Sequence, residues 1–265
     1  MALTAICSVI SSPLFSLKHP ETFQIAAVLP VPQPSTLVGA LAYCIGVEKG
    51  IGLNALNVAR ENIVLARAKL ISDVSIISPV ILRRFRVLDK GFERKQSKEV
   101  AAYNRAIDAL LSRNISEYRR IVEQILSDAM YREYLTQVRF QCIWVIRDNI
   151  DHRIAYYIQR LGDTESLVTV NEVWQEDCIM EKVDTLSTEY PFTLDPNLIN
   201  RFTGSYIITK MCDESRSIKT YIIPCKRDVL TTKDGVKVFS YTPSKVDINL
   251  KKIINVYRIG NEYIL

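Results

Sequence analysis

The sequence predicts an α+β protein built on a ferredoxin-like (RRM-like) βαββαβ domain, with a helical thumb insertion and a small β-rich C-terminal region. Strand-like and helix-like patterns alternate in that order over residues 1–175. Apolar residues at helical spacing fill an interval of about 89–135 between two strands. Short β-like runs separated by turn signals fill residues 176–265, and 246–250 and 253–258 are two of them. We therefore expect an RRM-like domain at 1–175 and a β-rich region at 176–265.

The composition is typical of a globular chain with a sizeable core, since 48% of the 265 residues are hydrophobic and 24% are charged. The net charge of +5 is compatible with a basic stripe on one face. Six cysteines without a C-x-x-C pair favour free thiols in a reducing cytoplasm over disulfides or zinc. No signal-peptide pattern or membrane-length apolar run is visible, so we expect a cytoplasmic protein without a membrane partner.

The first half of the domain centres on a proline-rich stretch and the helix that follows it. A first strand over residues 2–12 is expected to stop at Pro13. Alternating prolines then keep residues 29–34 extended, because each ring fixes φ and restricts the preceding residue. The helix is expected over about 35–47, with Ser35 as its cap and Gly39 allowing close approach to a sheet or ligand.

The remaining elements follow from periodicity and turn signals. The predicted elements are strands at 63–70 and 74–88, a helix over 97–135 with a break at 114–116, a strand at 140–146, a helix from its cap at Asp151 to about 159, and a strand at 167–174. In the strand at 63–70, Arg67 and Lys69 are expected to share a face with Ile63 and Leu65.

The segment from Arg83 to Lys98 is the densest basic stretch, with seven cations, two acids and interleaved Phe85 and Phe92. Cations neutralise phosphates, and an aromatic ring can stack on an unpaired base. A solvated loop is the alternative interpretation.

Three stretches resemble the CRISPR-associated Cas-five family, and they span residues 1 to about 175. They are Pro34-Ser35-Thr36-Leu37 with Gly39-Ala40-Leu41, Arg132-Glu133-Tyr134-Leu135 before a buried strand, and Arg160-Leu161-Gly162 before the last strand. The third departs from the family pattern, in which a basic residue tends to follow the glycine, because Asp163 stands there.

The resemblance implies a non-catalytic, RNA-binding subunit of a type I CRISPR Cascade effector, most like the archaeal type I-A form. Such a subunit holds the 5′ handle of the guide RNA and caps the filament of backbone subunits. The implied partners are the guide RNA, the backbone subunit and the large subunit. The helical insertion would act as a thumb towards the neighbouring backbone subunit, or form an extra packing layer.

The candidate RNA-binding residues combine a loop, a helix start and the basic segment. They are Lys18, His19, Ser35, Thr36, Arg83, Arg84, Arg86, Lys90, Arg94, Lys95 and Lys98. No metal-ligand cluster, nucleotide fingerprint or nucleophile motif appears in the sequence, so no catalytic residue, metal or cofactor is assigned.

Two other functions stay open. A metal-independent endoribonuclease that processes guide precursors needs only an acid, a base and cationic stabilisation, which His19, Lys18 and a nearby tyrosine would supply. A scaffold whose RNA affinity comes from its partners is the third hypothesis.

Overall fold

The computed structural model describes residues 3–21, 25–85, 98–147, 150–231, 233–235 and 237–265. The chain divides into two compact units, one formed by Met1–Ser78 with Glu133–Leu265 and the other by Pro79–Arg132. The structure mixes helices with strands and is rich in strands, which confirms the α+β class.

The first unit carries most of the strands. The strands in chain order are β1 (Leu3–Phe15), β2 (Ile25–Ala26), β3 (Ile63–Leu70), β4 (Ser75–Phe85), β5 (Ser127–Ile146), β6 (Thr169–Thr188), β7 (Ile199–Gly204), β8 (Ile207–Cys212), β9 (Ile218–Ile223), β10 (Cys225–Thr231), β11 (Lys237–Pro243), β12 (Val246–Ile259) and β13 (Glu262–Ile264). The α-helices are α1 (Pro34–Lys49), α2 (Ala55–Asn62), α3 (Lys98–Leu111) and α4 (Ile115–Ile121).

Four antiparallel strands form the centre of the first unit in the order β6-β1-β5-β3. Side chains alternate between the two faces, as the pleat of a strand requires. One face, which includes Ile6, Phe140 and Trp144, shares a core with α1. The indole Nε1 of Trp144 donates a 2.9 Å hydrogen bond to the carbonyl oxygen of Leu37, which fixes the start of α1 against the sheet.

The opposite face of the same strands is also buried. Its small and branched side chains, among them Cys7, Ile143 and Val145, form a cluster with Tyr190, which follows β6, and with Ile264 of β13. The C-terminal strands therefore cover the face of the sheet that α1 leaves free.

Two cations of β3 lie under this cover. A bulge between Ile63 and Leu65 places Ile63 in the core beside α1, whereas Leu65 joins the cluster on the opposite face. The predicted common face of Ile63 with Arg67 and Lys69 is wrong for this reason.

Both cations are 5% exposed and fully paired. Arg67 lies 2.5 Å from Glu214 and donates to the Leu265 carbonyl oxygen. Lys69 pairs with Glu189 at 2.7 Å and with Glu262. These contacts tie β3 to the C-terminal region, because a buried charge needs a partner.

Several boundaries differ from the predictions. β1 continues through Pro13 to Phe15, because β5 stays paired with it as far as Phe15, and Pro13 itself has no partner in that register. The predicted helix over 97–135 is wrong in its last third. α4 and a π-helical turn end at Leu126, and the chain then enters β5.

The second unit holds the two insertion helices. Ala102, Ala106, Ile121 and Leu126 form its buried cluster. The side chain of Asn114 caps α4 by accepting a 3.1 Å hydrogen bond from the Glu117 amide. The predicted break between helices at 114–116 is confirmed.

The C-terminal strands extend the sheet and add a hairpin. β12 pairs with β6, β7 and β13, while β8 and β9 form a separate two-stranded sheet. β6 runs continuously across residue 175. None of the described helices combines the length and the apolar character that crossing a membrane requires.

Candidate functional site

A cleft of about 810 Å³ opens in the first unit where three distant segments meet. They are the start of α1, residues 158–162 and the turn between β8 and β9. The lining residues are Gln33, Ser35, Thr36, Gly39, Ala40, Tyr43, Ile158, Gln159, Arg160, Gly162, Cys212 and Arg216. Among the described residues, the lining contains two arginines and no carboxylate, so the cleft is suited to an anionic ligand.

The start of α1 is built by an uncapped turn. Gln33 occupies the cap position and Pro34 the first helical position. The Thr36 and Leu37 amides donate to the Gln33 carbonyl oxygen at 3.0 and 3.2 Å. Ser35 therefore lies inside the first turn, and the predicted cap at Ser35 is wrong. Its amide has no acceptor within the described part of the chain, which leaves one donor at the cleft.

One side of α1 faces the cleft along its first three turns. Ser35, Gly39 and Tyr43 lie four residues apart and so share a helix face. A Cβ atom on Gly39 would meet nothing within 4 Å, so the glycine is not required by packing against the sheet. Tyr43 is 50% exposed. This side therefore presents hydroxyls, an open helix surface and an aromatic ring.

The second wall, residues 158–162, is anchored to the chain just after β1. The Asp151 side chain accepts from the Arg153 amide and starts the 3₁₀ helix His152–Tyr157, so the predicted cap is confirmed although the helix is shorter. Beyond it, Gly162 has φ of 117°, and a Cβ there would lie 2.8 Å from the Ser16 carbonyl oxygen. Only glycine fits this position without a shift.

Serine hydrogen bonds complete the anchoring of this wall. Ser166 Oγ donates to the Ser16 carbonyl oxygen at 3.0 Å and accepts from the Ser16 amide at 2.8 Å. The Asp163 amide donates to the same carbonyl oxygen at 2.9 Å. Arg160 is exposed beside this fixed loop. The cation of this wall thus precedes Leu161-Gly162, whereas the family pattern has a basic residue after the glycine, where this chain has Asp163.

The third wall is the β8–β9 turn, which is organised by Asp213. Its Oδ1 accepts from the Ser215 and Ser217 amides at 2.9 and 2.8 Å, and its Oδ2 lies 2.9 Å from Lys219 Nζ. Burial would raise the pKa of Asp213, but the hydrogen bonds from Lys219 and these serines outweigh it and hold the pKa below 3.8. The charged carboxylate fixes the turn, which presents Arg216 in the left-handed conformation with φ of 68°.

The residues that line the cleft are suited to binding a ligand. Burial, followed by the Asp213 carboxylate, raises the pKa of the Cys212 thiol above 9.0, while Arg216 opposes the rise. The thiol is therefore neutral at neutral pH and is a poor nucleophile. No group of three or more histidine, cysteine or carboxylate side chains among the described residues could hold a metal ion.

The structure separates the predicted site residues. Ser35 and Thr36 line the cleft, whereas Lys18 and His19 do not. Lys18 pairs with Val28 across an isolated bridge, and His19 Nδ1 accepts from the Glu21 amide at 3.3 Å.

The basic segment belongs to another part of the chain. Arg83 and Arg84 lie in β4 and Lys98 begins α3, but their side chains are outside what the structure describes. Arg86, Lys90, Arg94 and Lys95 lie outside the described residues altogether.

Four cleft residues were missed from the sequence. They are Gln33, Tyr43, Arg160 and Arg216. Gln33 and Tyr43 flank the first family landmark and Arg160 begins the third, so their position was a usable signal. Arg216 had only the turn sequence Asp213-Glu214-Ser215-Arg216-Ser217 between two β-like runs.

Comparisons with known proteins agree with the resemblance. No family model matches the chain. A curated protein from Thermoproteus tenax, "CRISPR-associated protein Cas5", is 27% identical over 164 residues. The alignment covers 61% of this chain and 62% of that protein, so the chain matches less than two thirds of its relative.

Two solved structures were also compared. A crystal structure of a CRISPR protein from Archaeoglobus fulgidus aligns with a TM-score of 0.57 at 16% identity, covering 98% of this chain and 97% of that chain. A chain titled "CRISPR RNA-guided surveillance complex" aligns with a TM-score of only 0.39 at 10% identity, covering 97% and 91%. The chain is thus similar in sequence to a Cas5 protein and shares the fold of a CRISPR protein.

Proposed function

We propose that this protein is a Cas-five subunit of a CRISPR Cascade effector and that its cleft binds the 5′ handle of the guide RNA. One observation carries the proposal. The cleft brings Ser35 and Thr36 of the first family landmark together with Arg160 and Gly162 of the third. These landmarks are distant in sequence, and their convergence on one cavity supports a common ligand.

The chemistry of the cleft suits single-stranded RNA. Arg160 and Arg216 attract phosphates, and the amide of Ser35 adds a donor at a helix start. The exposed ring of Tyr43 offers a surface on which an unpaired base can stack. The volume of about 810 Å³ accommodates more than a phosphate group.

The fold gives a reason for RNA to bind beside α1. The order β6-β1-β5-β3 corresponds to fourth, first, third and second strands of a ferredoxin-like frame, to which we assign the domain. An RRM binds RNA on the free face of its sheet. Here Tyr190, Ile259 and Ile264 cover that face, so we place the RNA in the cleft instead.

The rest of the proposed assembly follows from the resemblance. We assign the subunit to the archaeal type I-A form, acting in the cytoplasm and capping the backbone-subunit filament beside the large subunit. The insertion within Pro79–Arg132 serves as the thumb towards the neighbouring backbone subunit. The basic segment from Arg83 to Lys98 follows the RNA backbone.

The lining of the cleft favours binding over cleavage. The described lining residues include no histidine, aspartate or glutamate, and the Cys212 thiol is neutral, so these residues offer no base for the 2′-hydroxyl of RNA at neutral pH. The metal-independent endoribonuclease stays as the alternative function, with His19 outside the cleft as its base.

The test is to incubate the purified protein with labelled CRISPR repeat RNA in EDTA and to score cleavage and retention together. We expect retention without cleavage. The double variant R160A/R216A should bind more weakly, and the slope of log affinity against log salt should fall by about 1.4, because two phosphate contacts are lost.

The matched control is R60A/R201A, which removes two exposed arginines of the same unit that do not line the cleft. Equal losses in the two double variants would show that charge alone, and not the cleft, holds RNA. A discrete cut in EDTA would instead support the ribonuclease.

A further inference from the structure

Among the described residues of the cleft, Gln33 is a neutral side chain whose orientation is fixed by a donor of known identity. Its Oε1 accepts a 3.0 Å hydrogen bond from the Cys212 amide. A backbone amide can only donate, so the oxygen of the side chain must face Cys212. The amino group of Gln33 therefore points away from the β8–β9 hairpin.

That amino group is available to a ligand. Gln33 lines the cleft and is half-buried. Its Nε2 has no acceptor within the described ranges, and it is not a buried unpaired atom. The side chain thus offers two hydrogen-bond donors in a fixed direction, since the tether to Cys212 restricts its rotation.

The surroundings suit a flat apolar ring more than a phosphate. Gly39 leaves the helix surface open, and Tyr43 places an exposed ring one turn further along α1. The two arginines of the cleft already serve phosphates. A fixed, neutral amide is the group that proteins use to read the edge of a base.

We infer that Gln33 reads one unpaired base of the bound RNA by donating from Nε2 to an acceptor on the edge of that base, with the base lying against Gly39 and Tyr43. This inference rests on the proposed function and adds sequence selectivity to it. The β8–β9 hairpin positions Gln33 through the Cys212 amide and so belongs to the reading site.

The test uses the full chain and a pool of single-stranded RNA of random sequence, whose bound fraction is sequenced. Q33E keeps an oxygen for the Cys212 amide but replaces the donor by a charged acceptor. Q159E is the matched control, because Gln159 also lines the cleft and the substitution adds the same charge without a tethered amide. We expect Q33E to lower base preference at one position about 3- to 10-fold, the effect of about one hydrogen bond.

The controls separate the reading role of Gln33 from the proposed function of RNA binding. Q159E should weaken binding of all sequences equally. Q33M is an uncharged second variant, to be used if Q33E does not fold. It should lose the same base preference. Retention of RNA with unchanged base preference in Q33E or Q33M overturns the reading role and leaves the proposed function standing. Failure of the wild-type protein to retain any RNA overturns both.

Discussion

At Gly39, helix stability favours a residue larger than glycine, whereas an open cleft favours glycine. Glycine inside a helix costs about 0.5–1 kcal/mol relative to alanine. No atom lies within 4 Å of a Cβ built at this position, so packing does not require glycine. The small residue is explained by the space that it leaves in the cleft.

A side chain at Gly39 should therefore separate stability from binding. We expect G39A to raise the free energy of unfolding by about 0.5–1 kcal/mol and G39L to lower RNA retention without loss of stability. Denaturant unfolding and filter binding measure the two effects. G46A is the control, because a Cβ at Gly46 would lie 3.2 Å from Ala55 Cβ and should give no gain. Unchanged RNA affinity in G39L would contradict the proposed position of the ligand.

Sequence reasoning reached part of the site at this scale. The helix-start motif pointed to Ser35, Thr36 and Gly39, and all three line the cleft. Arg216 was out of reach, because its place depends on how the Asp213 turn docks against α1. Lys18 and His19 were chosen for their closeness in sequence to α1, yet Lys18 pairs with Val28 and neither residue lines the cleft.

Lys69 links two elements that are far apart in the chain, β3 and β13. Its ammonium group contacts Glu189, Glu262 and the face of the Tyr190 ring, with Nζ 5.1 Å from the ring centroid. Tyr190 also donates to Glu262 at 2.9 Å. Burial, and then the Glu262 carboxylate, raise the pKa of Tyr190, so the phenol stays protonated and donates throughout the physiological range.

Removing the two carboxylates should be strongly non-additive. E189Q or E262Q alone leaves Lys69 with one charged partner, and each should cost about 1 kcal/mol. The double variant leaves a buried ammonium without a counter-charge and should cost about 3–5 kcal/mol. Denaturant unfolding of the wild type and the three variants measures the coupling. Additive losses would mean that water, and not the second carboxylate, compensates the charge.

Elements with a clear periodicity were predicted well, and those that depend on pairing were not. The strand at 63–70 was predicted to the residue, because three branched apolar residues open it at 63–65 and Leu70 ends it just before the polar pair Ser72-Asp73. β12 was predicted as two runs, since Lys251 and Lys252 interrupt the pattern. The structure joins them through a register shift between Asn249 and Ile254. β5 was missed before residue 140 because its first residues have no distinctive period.

The two compact units give a prediction for the whole molecule. Ile76 and Thr136 lie beside each other, with a 3.4 Å hydrogen bond between the Thr136 hydroxyl and the Ile76 carbonyl oxygen. A short glycine-serine linker can therefore replace residues 79–132. We expect this variant to unfold cooperatively and to keep binding that depends on Arg160 and Arg216.

Overall affinity should fall, because the replacement removes the seven cations of the basic segment. At about 0.7 for each phosphate contact, the loss of these seven contacts alone should lower the salt slope by about 5. Thermal unfolding and binding at several salt concentrations measure both effects. A folded variant that has lost all dependence on Arg160 and Arg216 would place the RNA in the other unit.

The pair of Lys69 and Glu262 also bears on how the chain folds while it is being synthesised. The two residues are separated by 193 positions, so at about 5–20 residues per second Lys69 leaves the ribosome about 10–40 s before its partner is made. Until the C-terminal strands are made, the face carrying Cys7 and Leu65 has no cover. We therefore expect an incomplete nascent chain to expose apolar surface and to be prone to aggregation.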